Sequence, residues 1–460
     1  MRIGGPEFAL FDRKHTFADA LKKGFQAVLR RLDLGMVRLN ATNPDGAVLM
    51  NIFPLRRGLR GIRIPVAGSA YRGFVEETMR KWTIAGASML VFFGGTAFAQ
   101  NGDLAFAPGE DSRFNWQSFE DFSSQYDLSG QELTIFGTWL GQESELFETV
   151  VAYFEEATGA AVDFTGSDSF EQQIVIDTQG GSAPDISVFP QPGLAASLAA
   201  QGFLTPLGEE TATWVAENYA AGQSWVDLGT YAGEDDAESF YAFPFKADVK
   251  SLVWYVPENF EDAGYEVPET MEDLQALTEQ IVEDGGTPWC IGLGAGGATG
   301  WPATDWVEDM MLRTQAPDVY DQWVTNEIPF NDERVVAAIE EFGWFARNDE
   351  FVAGGTEGVA STDYRDSPAG LFSFPPGCYM HRQASFISSF FPEDVEVGLD
   401  ADFFYLPAYA EKELGNPVLG SGNIFAITTD SEAARAFIEF LKTPIAHEIW
   451  MAQGGFLTIA

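Results

Sequence analysis

Apolar and polar residues alternate along this chain with two different periods. The run Leu133-Thr134-Ile135-Phe136 reads as a short buried strand. Beyond the loop Gly137-Thr138-Trp139-Leu140-Gly141, Leu146, Phe147, Val150, Val151 and Phe154 recur at three- and four-residue spacing. That second pattern predicts a helix with one buried face and Gly159 as its C-terminal stop. Ala161 to Phe164 reads as the next strand, Phe170 to Thr178 as the next helix, and Ala183 to Phe189 as a third strand running into the turn Pro190-Gln191-Pro192-Gly193. Alternation of strand, helix and strand implies a parallel sheet with crossover helices. Ligands of such sheets sit beyond the carboxyl ends of the strands, where the Trp139 loop and the Gln191 turn both lie. These two loops are therefore the first site candidates, against the alternative that Trp139 only packs on a neighbouring helix.

The stretch from Tyr241 to Pro257 behaves differently. Alternation puts Lys246, Asp248 and Lys250 on one face of a strand and Ala247 and Val249 on the other. Pro244 suits an edge or a strand start, and Ser251 to Val256 continues as a buried strand. One segment thus leaves one core and enters another, as a hinge does; an edge strand with a solvated charged face is the bland alternative.

Further on, Thr270 and Asp273 form a capping box before a helix carrying Met271, Leu274, Leu277 and Ile281, stopped by Gly285. Pro288 to Ile291 reads as a strand. Gly292 to Gly297 fits GxGxxG, but the helix expected over Thr304 to Leu312 starts too late for a dinucleotide fingerprint. A flexible loop presenting Trp301 and Asp305 at a cleft fits better. A helix over Arg334 to Arg347, a loop over Gly354 to Gly358, strands over Gly370 to Phe374 and Phe403 to Leu406, and a second lobe-crossing strand from Val418 to Ile427 follow. A last helix, Ser431 to Lys442, is closed by Pro444.

Length, charge and cysteine usage narrow the class. A chain of 460 residues exceeds one core and predicts two domains plus extras. Of the 26 Lys/Arg and 69 Asp/Glu, 15 and 7 fall before Gln100, so the first part carries about +8 and the remainder about -51. Met79-Arg80-Lys81, the apolar run Trp82 to Gly95 and Ala97-Phe98-Ala99 read as a signal peptide cleaved after Ala99, too short to serve as an anchor. No cysteine directly follows the apolar run, so lipid attachment there has no acceptor and a freely soluble exported protein is expected. The basic residues 1–78 are poorly periodic and carry no nucleic-acid motif; an initiator placed too early, with Met79 the true start, is the simplest account of them, and a cytoplasmic basic domain is the alternative. So acidic an exported part makes nucleic acid a poor partner. Cys290 and Cys378 are the only cysteines, and export favours a disulfide between them over two free buried thiols.

The motifs GQESELFETVVAYFEEATGAAVDF, GGSAPDISVFPQPG, ASLAAQGFLTPL and YAFPFKADVKSLVWYVPENFEDAGYEVPETMEDL, in that order, resemble the periplasmic sugar-binding proteins of ABC importers, the extracellular solute-binding protein family 1. GEDSRFNW and PWCIGLGAGGATGWPATDWVEDMMLR are most similar to its α-glucoside-binding branch. The resemblance implies an α/β fold of two hinge-linked lobes, each a mainly parallel sheet flanked by helices, that closes on an oligosaccharide and presents both lobes to a membrane permease. It implies a periplasmic monomer without cofactor, metal or catalytic residue. By motif position, Trp139, Gln142 and Gln191 would lie on the first lobe, and Lys246 and Asp248 at the first crossing. Trp301, Asp305 and Arg382 would come from the second lobe, and Gly420, Ser421 and Asn423 from the second crossing. A cleft of Trp with Asp, Gln and Asn suits a sugar, which offers hydroxyls to polar groups and C–H faces to rings.

The layout expected is an N-terminal extension of the exported chain over 100–130, a first lobe from 131–247 plus 421–453, and a second over 248–420. Relatives cross a third time and finish with helices on the second lobe. This chain stops near that crossing, so those helices are expected to be missing through truncation. Two other readings stay open: a secreted glycoside hydrolase, for which no GxSxG, HExxH or distinctive carboxylate pair is present, and a binder of another polar solute such as a polyamine. His381 reads as a structural hydrogen-bonder rather than a base.

Overall fold

The structure, a computed structural model, describes residues 104–460 and, ahead of them, three strands: β1 (Met36–Asn40), β2 (Leu49–Phe53) and β3 (Ile62–Pro65). The chain divides into the compact units Met1–Ala99 and Gln100–Ala460. In the first unit the three strands form an antiparallel meander where the sequence reads as irregular. The signal peptide expected over 79–99 lies outside the described residues.

In the second unit, strands β4 (Glu132–Gly137), β5 (Ala161–Gly166), β6 (Ile186–Phe189), β7 (Thr230–Ala232), β8 (Glu238–Phe240) and β9 (Ala242–Val249) precede β10 (Leu252–Tyr255), β11 (His381–Arg382), β12 (Asp402–Tyr405), β13 (Gly420–Ile427) and β14 (Leu457–Thr458). One six-stranded sheet has the order β14-β9-β13-β6-β4-β5; a second has the order β11-β10-β12. Only two residues separate β9 from β10, yet the two strands belong to different sheets, so the chain changes lobe there as the charged, Pro-containing stretch implies. β13 returns antiparallel beside β9, pairing Gly420 with Val249 and Asn423 with Lys246. The register shifts between Asn423 and Ile424, because Ile424 pairs with Pro244 and Phe245 is left over as a bulge. Proline cannot donate to a ladder, and a bulge on a strand that β14 covers only at Lys246 and Ala247 is where it fits.

Strand direction departs from expectation. β4 runs parallel to β5 and β6, but β6–β13, β13–β9, β9–β14 and the whole second sheet are antiparallel. The helical crossovers read from Leu133 to Phe189 enforce parallel pairing only among those three strands. β11, β12 and β13 instead return from distant loops.

Alternation along β13 feeds two layers. Phe425 and Ile427 pack among Phe147, Phe154, Phe437 and Trp450, whereas Ile424 and Ala426 pack among Phe170, Ile174, Phe189 and Leu198. The helix Gln142–Thr158 ends at Gly159 with φ 75°, a left-handed cap that glycine adopts freely. The segment read as an N-terminal extension supplies the short helix Trp116–Ser123, whose Trp116, Phe119 and Phe122 are buried. The second lobe's core gathers Met271, Leu274 and Ile281 of the helix Met271–Glu283 around Trp289, Trp306 and Phe345; Thr270 caps that helix, Oγ1 accepting from Asp273 N at 3.1 Å.

Several local expectations are corrected. The helix carrying Asp305 is Trp301–Thr314, longer than Thr304 to Leu312, because Pro302 suits its first turn. Pro288 to Ile291 makes only isolated bridges at Trp289. Gly355 to Gly358 open a helix, Gly355–Ser361, that Gly354 precedes as its N-cap, and Gly370 to Phe372 end a 3-10 helix, Ser367–Phe372. The strand before Pro192 and the helix before Pro444 end as expected, and each proline also opens a further helix, Pro192–Ala200 and Pro444–Met451. Cys290 and Cys378 form the expected disulfide, with Cα atoms 5.5 Å apart and a sequence separation of 88.

Closing so long a loop constrains the unfolded chain. Cys290→Ser with Cys378→Ser is expected to lower stability by about 2–4 kcal/mol in denaturant unfolding. An unchanged midpoint would show that the bond adds nothing to the second lobe.

Candidate ligand-binding cleft

Between the lobes lies a cleft of about 460 Å³. Its first-lobe wall comes from the ends of β4 to β6: Thr138 and Trp139 after β4, Asp168 after β5, and Pro190 and Gln191 after β6. The two crossings supply the floor, with Lys246, Asp248 and Lys250 from the first and Ser421 and Asn423 from the second. The opposite wall is one stripe of the helix Trp301–Thr314, where Trp301, Thr304, Asp305 and Glu308 recur at three- and four-residue spacing, joined by Tyr364 and Phe386.

The charged floor is paired before any solute arrives. Lys246 is buried, with Nζ 2.9 Å from Asp248 Oδ1 and 3.5 Å from Glu143 Oε1. Burial works against its charge, but Asp248 and Glu143 more than offset this and hold its pKa above the ordinary lysine value. Glu143 shares that ammonium with a nearer carboxylate, so burial pushes its own pKa up. Lys250 Nζ lies 2.6 Å from Asp305 Oδ1; burial opposes its charge too, and Asp305 outweighs it. Asp305 is 4% exposed, and its Oδ2 has no hydrogen-bond partner. A buried acceptor without a donor is costly, which makes it a place for a solute hydroxyl. Glu308 has its carboxyl pushed up to about 7 by burial, with Lys250 opposing and Asp305 adding to the rise.

Of the residues singled out from sequence, Trp139, Gln191, Lys246, Asp248, Trp301, Asp305, Ser421 and Asn423 come together in the cleft lining. Trp139 is 3% exposed and packs against Phe147 and Trp450, with ring centroids 4.9 and 5.1 Å apart, so it serves the core as well. Three do not line the cleft. Gln142 is exposed at the first position of its helix, and the rotation of one residue brings Glu143 in instead. Arg382 is buried behind the wall. Its Nη2 donates to the Asp305 carbonyl at 3.0 Å and its Nε to Asp309 Oδ2 at 3.2 Å, so it braces the helix and cannot reach a solute. Gly420 is exposed at the start of β13.

Lining residues absent from the sequence-based set are also informative. Lys250 shares the alternation of Lys246 and Asp248, and Glu308 lies one helical turn beyond Asp305, so both had a usable signal. Tyr364 comes from a turn and Phe386 from a short 3-10 helix, Ser385–Phe390, and no spacing marks them. Their rings lie 4.9 and 6.0 Å from that of Trp301. His381 is buried with Nδ1 2.8 Å from the Cys290 carbonyl; burial lowers its pKa to about 4, leaving a neutral structural group as expected.

Residues 140–448 match the family model described as bacterial extracellular solute-binding protein. The chain belongs to that family. Among curated relatives, the alpha-glucosides-binding periplasmic protein AglE of Rhizobium meliloti (strain 1021) is 66% identical over 385 residues, 83% of this chain and 84% of that one. The osmoprotective compounds-binding protein GgtB of Synechocystis sp. (strain ATCC 27184 / PCC 6803 / Kazusa) is 43% identical over 333 residues, 72% and 77% of the two chains. Among solved structures, the bacterial solute receptor AcbH has a TM-score of 0.60 at 19% identity, covering 72% of this chain and 81% of that one. A raffinose complex of RafE has a TM-score of 0.54 at 20% identity, covering 71% and 82%. The solute-binding protein is thus a two-lobed α/β receptor and not an enzyme.

Glu308 gives this receptor a pH dependence. Its folded pKa lies above the unfolded value, so the stability it contributes is complete below about 4.5 and is lost as pH rises through about 7. Glu308→Gln is expected to raise the melting temperature at pH 8 by on the order of 2 °C and to flatten its decline between those values. Parallel wild-type and variant melting curves at every pH would contradict this.

Proposed function

We propose that this protein captures an α-glucoside of the maltose, trehalose or sucrose class in the periplasm and delivers it to the membrane permease of an ABC importer. The observation that carries the reading is a single cleft wall on which the rings of Trp301, Tyr364 and Phe386 stand beside Asp305, whose Oδ2 is a buried acceptor without a partner. Rings take the C–H faces of a sugar, and the free acceptor takes one of its hydroxyls. The relative 66% identical to this chain, an alpha-glucosides-binding periplasmic protein, supports the same class. Closure on the solute is a hinge movement at the crossings, favoured only so far as the solute touches both lobes.

A hydrolytic reading gains little from the geometry, because Asp248 and Asp305 are each held by a lysine. A polyamine reading draws on the acidic lining, in which Glu143, Asp168, Glu171, Asp248, Asp305 and Glu308 outnumber Lys246 and Lys250.

Intrinsic tryptophan fluorescence, titrated with maltose, trehalose, sucrose and spermidine, separates these readings. A saturable change with an α-glucoside and none with spermidine is expected. Trp301→Ala should weaken that binding about tenfold or more. Saturation with spermidine alone would overturn the sugar assignment.

A further inference from the structure

The lobes also touch at a place that neither crossing explains. β5 is the edge of the six-stranded sheet opposite to the β9 side, and the segment leaving it reaches the second lobe. Arg365 Nη2 donates to Asp168 Oδ1 at 2.5 Å, and Arg365 Nη1 donates to Asp363 Oδ1 and Oδ2, each at 3.2 Å. The guanidinium lies over the ring of Tyr364, 4.4 Å from its centroid. Nearby, Gln172 Nε2 donates to the Gly297 carbonyl at 2.9 Å. The approach depends on two glycines. A Cβ at Gly296 would stand 2.8 Å from Asp168 Cβ, and one at Gly297 would stand 2.7 Å from Ser169 Oγ and 3.2 Å from the Asp168 carbonyl oxygen.

Asp168 and Tyr364 both line the cleft, whereas Arg365 lies behind them with its side chain 18% exposed. The bridge therefore walls the cleft on the β5 side. We propose that Arg365 is a positioning residue that sets ligand length, strapping Asp168 to the second lobe over a short glucoside and forcing a longer one to forgo the strap. The inference rests on the α-glucoside reading and goes beyond it. Contacts made only in the closed state add to the affinity of every ligand that permits full closure. A ligand whose chain runs out on the β5 side does not receive them, so the strap contributes to a difference between affinities rather than to all of them. Arg365 reaches this effect through Asp168 and Tyr364 without touching the solute.

The test is calorimetric titration of the purified full chain with maltose, maltotriose and maltotetraose. It compares wild type with Arg365→Gln, Asp168→Asn, the double variant, and Gly297→Val, which wedges the lobes without removing a charge. Wild type is expected to bind maltose more tightly than maltotetraose. Each single charge variant should weaken maltose about fivefold, the scale of a partly exposed ion pair, and the double variant no further. Maltotetraose should stay within about twofold for Arg365→Gln, which does not line the cleft, with Gly297→Val following the same pattern. Equal losses at every length, or additive losses in the double variant, would overturn the proposal. If wild type binds no α-glucoside, the functional reading fails, and small-angle scattering of the ligand-free proteins decides the strap separately. A larger radius of gyration for Arg365→Gln and Gly297→Val than for wild type supports it, and identical radii reject it.

Discussion

The structure hangs on one antiparallel ladder, β9 against β13, in which the chain crosses between lobes in both directions side by side. Backbone hydrogen bonds along it hold Asp248 opposite Ser421 and Lys246 opposite Asn423, so four cleft-lining residues are fixed by main-chain geometry alone. The ladder's end continues into the hinge. Lys250 N donates to the Leu419 carbonyl at 2.8 Å, and Leu419 N donates to Ser251 Oγ at 2.8 Å. Bending is thereby confined to a few residues where two strands leave one sheet together, and both crossings must move as one.

That hinge is wired into the wall that faces it. Ser251 Oγ donates to Asp309 Oδ1 at 2.7 Å, and Asp309 also takes Arg313 Nη1 at 3.0 Å and the guanidinium of Arg382. The helix Trp301–Thr314 thus presents one face to the cleft and anchors the other through a buried ion network. Breaking such a network is expensive because it leaves a buried charge without its partner. The orientation of Asp305 and Trp301 is consequently set from behind by residues that never meet the solute, as the position of Arg382 illustrates.

Much of this was legible in the sequence because simple periods carried it. The charge alternation of Lys246, Asp248 and Lys250 marked the crossing, and the helical spacing from Leu146 to Phe154 marked a core helix with its glycine stop. The Thr270 cap was equally plain. What escaped was whatever depended on distant returns of the chain: the antiparallel second sheet, the bulge at Phe245, and the rings of Tyr364 and Phe386. Gln142 and Arg382 failed for a related reason. Residue type gave the right chemistry for each, but helix rotation in one case and burial behind the wall in the other decided which way the side chain pointed.

The helix Trp116–Ser123 has a temporal meaning as well as a spatial one. Its Phe122 ring lies 5.2 Å from that of Phe440, and Asn115 N donates to Glu448 Oε2 at 2.6 Å, so an early segment of the chain is completed by a late one. The hydrophobic core around Phe147 and Phe437 cannot close until the helices Glu432–Leu441 and Pro444–Met451 have been made. The cores around Trp289 and Trp254, by contrast, draw their described residues from the one run of sequence between β9 and β13. During vectorial emergence, first-made residues must wait while later ones pack. Among the described residues, the core synthesised in the middle is the first that can close.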